Sequence, residues 1–242
     1  MMPYDLKEKR VLVTRGTRGI GREITRAFAD AGARLVVCYR EDQAAADTLA
    51  EQYGDVRVVR ADISSAADVA QLVAECRTRL GGLDVVVHNA VAISQVPLAE
   101  LTLDEWRRVI DTNLTGAFLV AQASLPLLGN GASIVLVGSK VAMVGAPLRA
   151  HYTASKAGLI GLARSMAKEL GPQGIRVNVV APGVVDGEAT AKLPLERYRY
   201  YQNLTSLKRT GQPGEVAEVV LFLASTAAAF VTGETINVDG GA

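Results

Sequence analysis

The feature that most constrains this chain is an alternation. Seven short runs rich in Val, Ile and Leu, at 10–14, 34–39, 56–60, 83–88, 133–138, 176–181 and 235–238, are separated by stretches with helical spacing. The runs lack a strict polar alternation, which is how strands covered on both faces of a parallel sheet read. The spacing predicts helices over 21–31, 43–53, 66–80, 103–128, 152–170 and 214–224. Thr102 is placed to cap the fourth of these, and Gly32 and Gly171 follow the ends of the first and fifth, as C-terminal caps do. Strand–helix alternation with right-handed crossovers predicts an α/β fold: a single-domain, Rossmann-type, doubly wound parallel sheet of about seven strands with helices on both faces. A length of 242 residues suits one such domain. Ligands of these sheets bind beyond the carboxyl ends of the strands, so that is where chemistry is sought.

The first strand runs into Thr14-Arg15-Gly16-Thr17-Arg18-Gly19-Ile20-Gly21 and then a helix. Glycines in such a turn let the backbone approach a pyrophosphate, and a helix N-terminus presents free N–H groups to it. A plain strand–helix turn can look similar. The second strand ends Cys38-Tyr39-Arg40, without an acid to accept from a ribose 2′-hydroxyl, while Arg18 and Arg40 offer guanidinium forks suited to a 2′-phosphate. The expected cofactor is therefore NADP(H).

Other classes find little support. A net charge of +1 with no basic cluster gives no field for nucleic acid. No apolar run reaches the roughly 20 residues of a membrane span, and no signal peptide is evident, so a cytoplasmic location is expected. Two cysteines make no disulfide framework, and His88 and His151 belong to no ligand cluster, so no metal is expected. One segment, 186–213, breaks the rhythm just after a strand and carries Tyr198, Tyr200 and Tyr201. It reads as a lid over the site or as a surface helix with half-buried tyrosines.

These pieces together resemble the short-chain dehydrogenase/reductase family across essentially the whole chain. The matching segments are the turn 14–21, Asp62-Ile63, Asn89-Ala90, Asn113, Ser139, Tyr152-x-x-x-Lys156, Pro182-Gly183 and a tail reading Thr232-Gly233-Glu234…Val238-Asp239-Gly240-Gly241. The resemblance implies an NADP(H)-dependent oxidoreductase interconverting a carbonyl and an alcohol. Tyr152 would be the general acid in reduction, Lys156 its electrostatic partner and a holder of the nicotinamide ribose, Ser139 a donor to the substrate oxygen, and Asn113 the anchor of a water leading to Lys156. Tyr152 and Lys156, four apart at a helix start, share one face. An ammonium there, with an oxidised nicotinamide, should lower a phenol pKa from about 10. Asp62 and Ile63, with Asn89 and Ala90, would line the adenosine path, Pro182 and Gly183 would flank the cofactor, and the Val185 backbone would meet its carboxamide.

Three positions depart from the family pattern: Arg15 stands where the first glycine of the turn is usual, Val91 where a glycine follows Asn-Ala, and Gly187 where a threonine often reaches the cofactor. Arg15 either adds to Arg18 and Arg40 at the 2′-phosphate or points to solvent. A β-branched Val91 in a glycine position predicts a rearranged loop. His151, beside the tyrosine, borders the pocket or faces outward. The nearest general resemblance is to 3-oxoacyl-acyl-carrier-protein reductases and polyketide ketoreductases. The absence of cations over 124–132 argues for a free small-molecule substrate over a carrier-bound one, and Tyr198 and Tyr201 would suit an aromatic polyketide-type ketone. A non-catalytic NADP(H)-binding sensor or scaffold is the alternative of another class. Small residues at 116, 117, 121, 123, 157, 158, 161 and 163 predict close helix–helix approach, and the resemblance implies a homotetramer or a dimer.

Overall fold

A computed structural model describes residues 4–242. In chain order the elements are β1 (Arg10–Val13), α1 (Gly19–Asp30), β2 (Arg34–Tyr39), α2 (Gln43–Gln52), β3 (Arg57–Arg60), α3 (Ala66–Leu80), β4 (Leu83–His88), α4 (Leu103–Ile110), α5 (Gly116–Ser124), β5 (Leu128–Val137), α6 (Val141–Val144), α7 (Ala150–Leu170), β6 (Arg176–Pro182), α8 (Glu188–Ala191), α9 (Leu195–Leu204), α10 (Pro213–Ala224) and β7 (Thr235–Val238). The seven strands form one parallel sheet in the order β3-β2-β1-β4-β5-β6-β7. The order reverses between β1 and β4, which opens a crevice at their carboxyl ends.

Two apolar layers hold the sheet. On one face Leu72, Val120 and Leu159 bring α3, α5 and α7 against the strands. On the other, Ile24 and Phe28 of α1, four apart and both fully buried, meet Val220 and Leu221 of α10. Each such side chain contributes roughly 1.5–3 kcal/mol by burial. The five inner strands are buried on both faces over most of their length, which is why they read as continuous apolar runs, whereas the edge strands β3 and β7 are only partly covered.

The expected long helix over 103–128 is instead three pieces. After α4, capped as expected by the Thr102 hydroxyl accepting from Glu105 N–H, the chain widens into a π-turn over Asp111–Thr115 before α5, then tightens into a 3-10 turn at Leu125–Leu127. Pro126, lacking an N–H, sits in that last turn, and Leu128 already belongs to β5. Gly116 follows the π-turn because a Cβ there would lie 2.1 Å from Ile63 Cδ1. Gly32 is left-handed as a cap requires, but Gly171 is right-handed, and the left-handed stop falls at Gly174. Val91 is not among the non-glycine residues with positive φ, so it sits there without a left-handed backbone.

Candidate active site

The turn after β1 is fastened from three sides. The Thr14 hydroxyl accepts from the N–H groups of Asn89 and Ala90, each at 3.0 Å, joining the ends of β1 and β4. Asn89 Nδ2 donates to Arg15 O at 3.1 Å, and Thr25 Oγ donates to Gly16 O at 2.9 Å. Two glycines have no room for a side chain: a Cβ at Gly16 would lie 2.5 Å from Val37 Cγ1, and one at Gly21 2.1 Å from Arg15 O. Gly19, at φ +54°, faces open space, and no side chain caps the N-terminus of α1. Thr17, Arg15, Arg18, Arg40, Asp62, Ile63 and Ala90 line one cleft beside this turn. Such a cradle, with exposed amide donors, cationic walls and a close-approach backbone, fits an anionic dinucleotide. Arg18 and Arg40 are not free cations, however. Arg18 pairs with Asp42 at 3.2 Å and Arg40 with Glu41 at 2.6 Å, acids that follow β2 directly.

Ser139, Tyr152, Lys156 and Asn113 come together beyond β5. Tyr152 is 9 % exposed and packs on Ala92, Val91 and Val109. Lys156 is buried, donates from Nζ to Val137 O at 2.7 Å, and lies 5.9 Å from the centre of the Tyr152 ring. Burial, and secondarily the charge of Arg15, pull the Lys156 pKa down to about 7. Burial pushes the Tyr152 phenol up, with the Ser139 hydroxyl hydrogen-bonded to it and the Arg149 charge only partly opposing this. In the unliganded chain Lys156 gives none of the depression expected from it: burial holds its amine low enough to be neutral where the phenol titrates. Asn113 spends its side chain on structure: Oδ1 accepts from Ala92 N–H at 2.7 Å, and Nδ2 donates to Ala92 O and Ser155 Oγ, both at 2.9 Å. Only its backbone is left to act toward Lys156. Beneath them lies His88, fully buried and held neutral, its pKa lowered to about 3 by burial and then by Lys156.

A sequence model of the family described as "Enoyl-(Acyl carrier protein) reductase" matches residues 15–242. The 3-oxoacyl-[acyl-carrier-protein] reductase of Synechocystis sp. is 39% identical over 95% of each chain, and its Aquifex aeolicus counterpart 37% over 99% of each. A short-chain dehydrogenase/reductase from Brucella melitensis superimposes with a TM-score of 0.95 at 38% identity, covering 99% of this chain and 98% of its own. This chain is a short-chain dehydrogenase/reductase. Its class of chemistry is oxidoreduction at carbonyl and hydroxyl groups.

In this short-chain dehydrogenase/reductase the 186–213 excursion leaves and returns through one neck. Val185 bridges Gly211, Asp186 N–H donates to Gly211 O at 2.8 Å, and Gln212 Nε2 donates to Asp186 Oδ2 at 2.6 Å. Between these ties α9 buries no residue. Tyr198 is spent on the neck, donating to Asp186 Oδ1 at 3.0 Å and sharing a hydrogen bond with Thr210. Tyr201 instead lies under the Arg197 guanidinium, 5.3 Å from ring centre to Cζ. His151 does not face outward: it is fully buried, with Nε2 2.7 Å from Ser94 Oγ, which also donates to Glu105. That chain ties α7, the 89–97 loop and α4 together. Gly187 is extended and opens α8. Pro182-Gly183 backs onto the tail, where a Cβ on Gly183 would lie 2.8 Å from Asp239 Cα, and Asp239 in turn pairs with Lys140 at 2.7 Å. Lys140, Ser94 and Glu105 carried no sequence signal, and the roles of Asp239 and His88 could not be read from it, because each acquires its role only across strands or loops far apart in the chain. Among the described residues no helix is long and apolar enough to cross a membrane.

Proposed function

We propose that this enzyme is an NADP(H)-dependent ketoreductase acting on a free small-molecule ketone. The observation that carries the reading is the convergence of a buried phenol, a hydroxyl facing it and a fully buried amine: Tyr152, Ser139 and Lys156. Ser139 donates to the substrate oxygen and Tyr152 delivers the proton to it as the carbonyl becomes an alcohol. Lys156 stabilises the resulting phenolate and returns a proton to it, with the Asn113 backbone on the path to solvent. In oxidation the same groups run in reverse. Bound NADPH supplies the hydride. Gly16, Thr17, Gly19, Ile20 and Gly21 hold the cofactor's phosphates. Asp62, Ile63, Asn89 and Ala90 take its adenosine, and Pro182, Gly183 and Val185 its nicotinamide end. Arg18 and Arg40 select the 2′-phosphate by exchanging their acid partners for it. The 186–213 segment, tied at its neck and, by Leu207 N–H and Ser206 Oγ, to the carbonyls of Gly240 and Gly241, covers the substrate with α9, which buries nothing, and Tyr201 borders it. Exposed Phe118 and Phe230 support self-association, to a homotetramer by family resemblance, although Gly116 and Gly158 pack on Ile63 and Leu114 of their own chain.

A second substrate reading, 3-oxoacyl groups on a carrier protein, is favoured by the relatives from Synechocystis sp. and Aquifex aeolicus. One panel tests both: NADPH oxidation with acetoacetyl thioesters, free and on acyl carrier protein, and with quinones, aromatic ketones and sugars. Faster turnover of carrier-held thioester than of any free ketone overturns the free-substrate reading. Tight NADPH binding with no turnover on the whole panel overturns the ketoreductase reading in favour of a sensor.

A further inference from the structure

His88 closes β4, and the alternation of that strand decides where its side chain lies. Val85 and Val87 face the layer of α1 and α10, while Val86 faces the layer of α3, α5 and α7. The next residue on the side of Val86 is His88, so its imidazole stands under α5 and α7. The register agrees. His88 pairs with Leu136 of β5, which packs in the same layer, and the residue after Leu136 is Val137, whose carbonyl holds Lys156 Nζ at 2.7 Å. Lys156 reaches this spot from the face of α7 that also buries Leu159 and Ala163. Asn113 is brought to the same place, its side chain bound to Ala92 of the loop that leaves β4 and to Ser155, the neighbour of Lys156.

The imidazole has no partner there. His88 is 1% exposed, and neither ring nitrogen finds a hydrogen bond among the described residues. A neutral imidazole carries one donor and one acceptor, and leaving them bare in the interior is costly. Packing alone calls for no such ring, since Val86 and Leu136 beside it in the layer are apolar. Lys156 is close enough to lower the His88 pKa, and the Asn113 backbone faces the ring, yet neither bonds to it directly. Polar groups that face one another beyond bonding distance in an interior are joined by water where two to four of them converge. Lys156 spends one N–H on Val137 and has others to give, and Asn113 has its main chain free.

We infer that His88, Lys156 and the Asn113 carbonyl hold one buried water, and that His88 is thereby a positioning residue for Lys156. The water accepts from Lys156 Nζ–H and donates to the bare nitrogen of the neutral ring and to the carbonyl. It keeps Nζ steady between the Val137 carbonyl and the reacting phenol. The inference rests on the reading of Tyr152 and Lys156 as the proton-transfer pair, and adds to it a residue that touches neither substrate nor cofactor.

Two measurements test it. The first is a high-resolution crystal structure of the full-length protein, in which one ordered water is expected within about 3.2 Å of both Lys156 Nζ and a His88 ring nitrogen. A dry site, or a ring bonded directly to protein, overturns the inference. The second compares His88→Leu with His88→Asn by steady-state kinetics on the ketone panel, beside NADPH titration and urea unfolding. His88→Leu should lower kcat about tenfold, the worth of one hydrogen bond, while substrate KM and NADPH Kd stay within about twofold. Its resistance to urea should not fall, because the buried polar group goes together with its need for a partner. His88→Asn, which keeps a donor and an acceptor, should recover most of the lost kcat. Unchanged kcat in His88→Leu, or an equal loss in both variants that follows a loss of stability, leaves His88 a core residue and overturns the inference. If His88→Leu does not fold, the crystal structure and His88→Asn still decide. A water in place with no turnover of any ketone by the unaltered protein sinks the proposed function and not the water site.

Discussion

Lys140→Met tests whether the chain's tail supports the reacting centre. Lys140 follows Ser139, and its N–H donates to Pro182 O at 2.9 Å while its amine meets Asp239 Oδ2 at 2.7 Å. The two side chains are 21% and 9% exposed, so the pair is neither solvent-screened nor fully interior. Exposed pairs contribute about 0.2–1 kcal/mol, and breaking a buried one costs about 3–5 kcal/mol. The geometry lies between, and Asp239 Oδ1 keeps the Gly241 N–H at 3.0 Å, so a loss of about 1.5–3 kcal/mol is expected at pH 7. For a domain of this size that is a fall in Tm of roughly 3–12 °C.

The pH dependence makes the test specific. Burial pushes the Asp239 carboxyl up, but the hydrogen bond from Lys140, the Gly241 N–H and the Lys140 charge together outweigh it, and the group sits below the usual range. A folded pKa below the unfolded value gives stability that is present above about pH 4 and lost as pH falls through the folded value. In Lys140→Met burial is opposed only by the backbone N–H groups of Gly241 and Asp239, the folded pKa rises, and protonation relieves the stranded carboxylate. The gap between the two proteins should therefore close below about pH 4. Thermal melts at matched protein concentration from pH 3 to 8 measure it, with Asp239→Asn completing a double-mutant cycle. A gap under about 0.5 kcal/mol at pH 7, or one that persists undiminished at the acid end, refutes the reasoning.

Other changes act on the same machinery. Tyr152→Phe should lower kcat by about 10²–10⁴ while the NADPH Kd stays near that of the unaltered protein, checked by steady-state kinetics beside direct titration. Lys156→Met should stabilise the unliganded protein at neutral pH. Burial holds the amine near about 7, below its unfolded value of about 10.4, so between these values the unfolded chain binds more protons and native stability rises with pH. The variant should lack that slope in urea titrations from pH 6 to 11, and a shared slope counts against the burial argument. Thr14→Val removes the acceptor of two buried N–H groups and should cost about 2–4 kcal/mol in urea unfolding, together with cofactor affinity. A cost under about 1 kcal/mol would mean that the loop finds other partners.

What the sequence disclosed and what it withheld divide along a physical line. Runs of consecutive apolar residues made six of the seven strands legible to within one position, while β5 begins five residues before its expected start, over the polar Gly129–Gly131 stretch that carries no such run. Tyr152 and Lys156 were legible because four residues on a helix is a fixed distance. The break in 103–128 was not, since the π-turn is held by Asn113 reaching Ala92 and by Gly116 reaching Ile63, contacts without a local trace. For the chain without cofactor, the phenol's pKa was illegible for a related reason: the spacing names Lys156 but not the burial that raises the phenol, nor the Val137 carbonyl that draws Lys156 Nζ aside. Arg15 shows the same division within one residue. Its cationic charge is plain in the sequence, and so is its trespass on a glycine position. Whether it meets the 2′-phosphate depends on the direction of the side chain, which rests on a left-handed φ pinned by Asn89 on the neighbouring strand end. The chemistry of a group can thus be read one residue at a time, whereas its target is a property of the fold.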